Sequence, residues 1–201
     1  RLTSDGHLVV HHDPDTLRVT GTQLAITRST HAQVVALKLA GTEYVTPRLE
    51  AVLELVGGRV PLLIEIKSGS PAGQVCPLVY QLIQAYGGEV AIEAFDPRQV
   101  LWFTRHAPQV LRGQISGTLR KNPVPQWQKA LFQTMLLNPL TQPHFITQEL
   151  AQLPHPATKF WARRLNVPVL AWEVGSEADW RAAIRYGVDN IIFDHIRPTG
   201  Q

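Results

Sequence analysis

Six short apolar runs, rich in β-branched residues, constrain the fold of this chain more than any other feature. They lie at 62–67, 90–95, 110–115, 144–147, 167–172 and 190–194. Each has the length of a buried strand and is nearly continuous in apolar character rather than strictly alternating. That pattern belongs to strands of a parallel sheet covered on both faces. Helix-like segments separate them. Thr46-Pro47 opens a stretch, 48–56, with Pro at the first helical position and Leu49, Val52, Leu53 and Val56 on one face. Asp96-Pro97 opens another, and Ser176 and Gly187 bracket a third as N-cap and stop. Residues 75–86 and 156–166 also read as helices, as do 31–39 and 130–137. Strand followed by helix, repeated, predicts an α/β fold of right-handed βαβ units closing a parallel sheet or barrel.

Both an open doubly wound sheet and a barrel fit the alternation. A full (β/α)8 barrel usually takes ~250 residues, so 201 residues fall roughly 50 short, the length of two βα units. No composition break divides the chain, and a single domain over 1–201 is expected. Hydrophobic residues at 44% and charged residues at 17% exclude a disordered chain and a coiled coil. A net charge of +3 is too small and scattered to argue for nucleic acid. One cysteine, Cys76, rules out an internal disulfide framework and a cysteine-built zinc site. No apolar run approaches the ~20 residues of a membrane span. The lone cysteine and the lack of a span favour the cytoplasm, with export left open.

In a parallel α/β fold the ligand site lies at the carboxyl ends of the strands. Charged residues at those ends are therefore the first candidates. Glu65 and Lys67 are two apart, so they share one side of their strand. Buried charges are expensive unless paired or bound to a ligand. The pair reads either as part of a site or as an ion pair with no chemical role. Trp172-Glu173, Asp194-His195 and Asp96 mark other strand ends. Near the start, an Asp5-Gly6 turn leads through a short apolar strand, 8–10, to His11-His12-Asp13-Pro14. Adjacent strand residues face opposite ways, so at most one of the two histidines serves a given pocket. Histidine exchanges protons near neutral pH, which suits acid/base work. A His-Asp pair on a loop also occurs as a plain polar turn. His106, His144 and His155 read as solvated groups, Trp102 and Trp161 as core, and Gly57-Gly58 and Gly87-Gly88 as helix stops.

Taken in order, these pieces resemble the glycerophosphodiester phosphodiesterase family. The matching runs are Leu2-Thr3-Ser4-Asp5-Gly6, Val9-Val10-His11-His12-Asp13 with Thr16-Leu17-Arg18 and Thr20-Gly21, and Pro47-Arg48-Leu49-Glu50-Ala51-Val52-Leu53. Further along come Leu63-Ile64-Glu65-Ile66-Lys67, Ala94-Phe95-Asp96-Pro97, Ala171-Trp172-Glu173-Val174 and 187–194. The resemblance implies a TIM-type (β/α)8 barrel, here lacking its first two βα units and carrying a small insertion after the His-Asp turn. It implies metal-dependent hydrolysis of a glycerophosphodiester to glycerol 3-phosphate and an alcohol, with Mg2+ or Ca2+ as the divalent metal. His12 resembles the second of the family's two acid/base histidines. Glu65 resembles a carboxylate metal ligand, Lys67 the cation on the substrate phosphate, and Trp172 the aromatic at the glycerol end.

The chain also departs from the family pattern. The His-Arg-Gly strand and the Glu-x-Asp pair of the family would precede Arg1, so both are expected upstream. Glu173 stands where the family commonly has Thr, and Phe193 replaces the usual Thr before Asp194. The expected partner is a small-molecule glycerophosphodiester, without nucleic acid or a membrane span, and a homo-oligomer is compatible with the sequence. Two alternatives stay open. One is a truncated, non-catalytic relative that binds phosphates or a protein. The other is a lyase-like relative that stops at a cyclic phosphate.

Overall fold

The computed structural model of the protein describes residues 1–118 and 134–196. All six apolar runs are strands: β1 (Leu62–Ile66), β2 (Val90–Ala94), β3 (Leu111–Ser116), β4 (Phe145–Glu149), β5 (Val169–Val174) and β6 (Asn190–Phe193). They form one six-stranded sheet whose order is the order of the chain. From β3 onward the pairing is parallel. Ile115 lies opposite Thr147, Thr147 opposite Leu170 and Glu149 opposite Trp172. The β5–β6 register shifts between Ala171 and Val174. Gly113 lets β3 and β4 carry a large side chain at close quarters. A β-carbon there would stand 2.2 Å from the Phe145 ring.

The helices between the strands are α1 (Leu17–Thr20), α2 (His31–Val35), α3 (Leu49–Val56), α4 (Ala72–Ala85), α5 (Pro97–His106), α6 (Asn138–Thr141), α7 (Pro156–Leu165) and α8 (Glu177–Tyr186). Their ends follow the cap chemistry written in the sequence. Ser176 accepts a hydrogen bond from the Asp179 amide at 3.2 Å, and Gly187 closes α8 in the left-handed region at φ 68°. Gly57 does the same for α3 at φ 54°, whose N-cap is Arg48, so Pro47 stands just outside the helix.

Three expectations change. The helix expected over 31–39 ends at Val35 because Leu39 N donates to Tyr44 O and Lys38 bridges Val45, which turns the chain back on itself. Gly87-Gly88 is not a left-handed stop. Gly88 makes room, since a β-carbon there would meet the Tyr86 ring at 2.6 Å and the Gly58 backbone at 2.8 Å. The helix expected over 130–137 falls largely on residues outside those described, and 134–137 form a turn leading into α6.

The chain divides into two compact units, Arg1–Ile92 with Arg105–Val110, and Glu93–Thr104 with Leu111–Gln201. In the first, Val9, Ile26 and Val34 form a buried cluster flanked by Leu24. Burying such side chains stabilises by roughly 1.5–3 kcal/mol each, enough to anchor an otherwise irregular segment. In the second, Leu150, Ala171, Val174 and Ala183 form a core against which Trp180, Val188 and Ile191 pack. Among the described residues no helix is long and apolar enough to cross a membrane.

Candidate active site

The segment that presents the histidines is held by long-range contacts rather than by a strand. The stretch 8–10 makes only isolated antiparallel bridges, Leu2 with Leu8 and Val9 with Arg48. The Asp5-Gly6 turn forms as its sequence predicts, with Gly6 at φ 85° and its amide on Thr3 O at 3.1 Å. Val9 is 2% exposed and lies in the first unit's core. Alternation then sends the two histidines to different fates. His11 is tied down, with Nδ1 at 3.3 Å from Thr46 Oγ1 and Nε2 at 3.0 Å from the Asp15 carbonyl. A carbonyl only accepts, so Nε2 carries the proton and Nδ1 accepts from the threonine hydroxyl. His12 points outward with its side chain 72% exposed. Its Nδ1 lies 2.8 Å from Asp13 Oδ1, and Asp13 Oδ2 accepts from Arg18 Nε at 2.5 Å. The Arg18 bond first, and then the His12 bond, pull the Asp13 carboxyl down to about 2.

At the end of β1, Glu65 and Lys67 do share a side. Lys67 Nζ donates to Glu65 Oε2 at 2.5 Å, and both side chains are largely buried, 17% exposed for the lysine and 25% for the glutamate. The other glutamate oxygen, Oε1, is buried without a hydrogen-bond partner among the described residues. One guanidinium connects this strand end to the histidine turn. Arg1 Nη2 and Nε donate to the His12 carbonyl at 2.7 and 3.2 Å, and Nη1 donates to the Ser68 carbonyl at 2.8 Å. Burial works against the Arg1 charge, while Glu65, Asp13 and Asp15 favour it. Two carbonyls on one guanidinium bring the His12 turn and the Glu65–Lys67 strand end together within the first unit.

The lone Glu65 oxygen suits one coordination position of a hard cation, since carboxylate oxygen is the donor such ions take. Among the described residues no group of three His, Cys, Asp or Glu side chains could hold a metal. They therefore offer a single ligand and not a cage.

Trp172 belongs to the second unit. Its Nε1 donates to Ser116 O at 3.2 Å, and its ring meets Phe95 edge-on at 5.6 Å. Gly117 permits this placement, because a β-carbon there would stand 2.7 Å from Trp172 Cζ2. Glu149, beside the tryptophan in register, takes the Thr118 amide at 2.5 Å and its hydroxyl at 3.2 Å. A cavity of about 390 Å³ opens here, lined by Glu149, Leu153, Trp172, Glu173, Asp179 and Tyr186 among others. In the same unit, Glu93 is 4% exposed and accepts from the Thr147 hydroxyl at 2.6 Å.

The remaining strand-end charges have other partners. Asp96 caps α5, accepting from the Arg98 amide at 2.9 Å and pairing with the Arg98 guanidinium at 2.7 Å. Asp194 and His195 form an exposed pair at 3.3 Å. Cys76 is buried on α4. His155, expected to be solvated, has a buried Nδ1 without a partner among the described residues, and burial disfavours its protonated form.

This order of motifs has a counterpart among known proteins. The model of the glycerophosphoryl diester phosphodiesterase family matches residues 1–197. The chain belongs to that family. It is accordingly a glycerophosphodiester phosphodiesterase by descent, and its fold is shared with solved members. A glycerophosphodiester phosphodiesterase from Parabacteroides distasonis ATCC 8503 is 22% identical, with 96% of this chain and 76% of that one aligned at a TM-score of 0.75. The enzyme from Thermotoga maritima is 17% identical over 96% and 78%, with a TM-score of 0.70. A phosphodiesterase from Oleispira antarctica, solved with its product sn-glycerol-3-phosphate, is 16% identical over 96% and 77%, with a TM-score of 0.75. No curated relative matches the sequence.

Reading the phosphodiesterase from sequence alone missed Arg1, Arg18 and the Glu93–Thr147 pair. Arg18 had a local signal, an arginine five residues after Asp13. Arg1 had none, since its Ser68 contact spans 67 residues.

Proposed function

We propose that the chain hydrolyses glycerophosphodiesters to glycerol 3-phosphate and an alcohol by histidine acid/base catalysis. A nucleophilic oxygen gives its proton to a second base and attacks phosphorus, and the P–O bond to the alcohol breaks; where that oxygen is the neighbouring glycerol hydroxyl rather than water, water then opens the cyclic phosphate to glycerol 3-phosphate. His12 acts as the acid/base group. Asp13 holds its Nδ1–H, so Nε2–H is the proton delivered to the departing alkoxide. Lys67 provides a point charge for the phosphate oxygens. Its partner Glu65 leaves one oxygen for a divalent cation, Mg2+ or Ca2+, whose chemistry when bound is charge neutralisation at phosphate. Trp172 and Phe95 offer an aromatic edge to the glycerol carbons. The six strands are read as part of an eight-stranded barrel.

The observation that carries this reading is the Arg1 bridge. It ties the backbone of the acid/base residue to the strand end that presents the ammonium and the unpartnered carboxylate oxygen. Family membership and the product held by the Oleispira antarctica enzyme support the same substrate class. The test is turnover of a glycerophosphodiester, with glycerol 3-phosphate measured directly, by the wild type and by His12→Ala. Loss of about 10²–10⁴-fold in kcat with the fold intact is expected. Unchanged turnover removes His12 from the mechanism. A cyclic phosphate that accumulates instead of glycerol 3-phosphate replaces hydrolysis with the lyase reaction.

A further inference from the structure

The proposed reaction gives Arg18 no task, yet the turn that presents it is fully built. The Leu17 amide donates to Asp15 Oδ1 at 3.0 Å, and buried Thr16 donates its hydroxyl to Thr22 O at 2.6 Å. Gly21, at φ 75°, closes α1 by donating to Leu17 O at 2.9 Å. The guanidinium so placed takes one oxygen of Asp13 while the His12 imidazole takes the other, at 2.5 and 2.8 Å.

We infer that Arg18 is a positioning residue that acts through Asp13 to hold His12 in the Nδ1–H tautomer, leaving Nε2 to exchange the proton with substrate. This rests on the proposed role of His12. An ionised carboxylate only accepts hydrogen bonds, so the nitrogen facing it must carry a proton. A free carboxylate beside an exposed imidazole can rotate or be taken by water. With Oδ2 fixed on the guanidinium, Oδ1 has one direction left. Arg18 also contributes most to holding the Asp13 carboxyl near 2, ahead of His12, which keeps it an acceptor at every working pH. The other charge that senses Asp13 is Arg1, which is cationic as well. An ion pair this exposed adds little to stability. Its consequence lies in the orientation of the ring.

The deciding experiment is nuclear magnetic resonance on the full chain, reading the ring nitrogens of His12 and the side-chain carbonyl of Asp13. In the wild type, neutral His12 should carry its proton on Nδ1, and Asp13 should titrate near 2. In Arg18→Met the Asp13 midpoint should rise toward the ordinary ~3.9 and the two tautomers should mix. Turnover should fall about tenfold at unchanged KM, a fraction of the ~10²–10⁴ that an acid/base group contributes. Arg18→Lys should recover most of each readout. An unmoved Asp13 midpoint and tautomer in Arg18→Met overturn the inference. So does a wild-type His12 protonated on Nε2, which needs no variant and decides the matter if Arg18→Met fails to fold. A wild type that lacks turnover defeats the proposed function and leaves both spectroscopic readouts to judge Arg18.

Discussion

Two strands of this molecule carry the same dipeptide at the same place. β1 reads Leu-Leu-Ile-Glu-Ile and β2 reads Val-Ala-Ile-Glu-Ala. The two glutamates nevertheless end in opposite conditions. Glu65 is partly exposed, paired with an ammonium, and leaves one oxygen unpartnered among the described residues. Glu93 is 4% exposed and bonded to the neutral hydroxyl of Thr147. The residue two positions on, which shares the side of the strand, separates them. After Glu65 it is Lys67; after Glu93 it is Phe95, stacked edge-on with Trp172. The β1 end sets an ammonium beside its glutamate, and the β2 end sets an aromatic ring two residues on. The same strand motif can thus end either way, depending on its i+2 partner.

Lys67→Met is the strongest way to break that contrast, because it gives β1 the apolar i+2 side chain that β2 already has. A hydrogen bond to a charged group contributes about 1.5–3 kcal/mol, so kcat/KM for a glycerophosphodiester should drop roughly 10- to 100-fold, chiefly through KM. Glu65 would lose the ammonium that donates to it and keep its buried oxygen, so thermal stability should fall as well. Steady-state kinetics and a melting curve check the two halves. Unchanged kinetics would show that Lys67 merely pairs with Glu65.

Thr147→Val attacks the other side. The substitution is nearly isosteric and removes the hydroxyl that donates to Glu93. Losing a hydrogen bond to a buried charged acceptor costs about 1.5–3 kcal/mol, to be read from urea unfolding. KM should stay where it was, since no substrate contact is assigned to either group. A changed KM at wild-type stability would make Glu93 a substrate-facing carboxylate and dissolve the distinction.

The features behind this contrast were unequally legible. The six strands announce themselves because each is a short run of four to six residues, and local composition is enough to mark it. Caps are equally local, so Ser176, Gly187 and Gly57 can be placed from a few neighbours. The shared side of Glu65 and Lys67 follows from the strand period alone. The partner of Glu93 does not, since Thr147 is 54 residues away and reaches it only through the sheet. The segment 8–10 reads as a strand because Leu8, Val9 and Val10 have strand composition. Its neighbours, Leu2 and Arg48, supply isolated bridges, and it is Val9 in the core that sets which histidine faces out. Asp96 shows two local signals competing at one residue. A carboxylate at a strand end suggests a site, yet the following proline starts a helix, and the carboxylate caps it.

The smallest test asks whether the charged region alone responds to acid. Asp13 has a folded-state pKa of about 2, through Arg18 and then His12, below the ~3.9 of an unfolded aspartate. A carboxylate depressed on folding stabilises fully above its unfolded pKa, and that contribution is lost as pH falls through the folded value. The window is therefore about pH 4 down to pH 2. Arg18 is mostly exposed, which limits the effect to the ~0.2–1 kcal/mol of solvated ion pairs. Urea unfolding of the wild type and of Asp13→Asn at pH 5 and at pH 2 should show a difference that shrinks toward zero at the lower pH. A deficit of Asp13→Asn that stays constant across the window would mean that the carboxylate acts by shape, as a turn residue, and that the charge on it is incidental to the histidine loop.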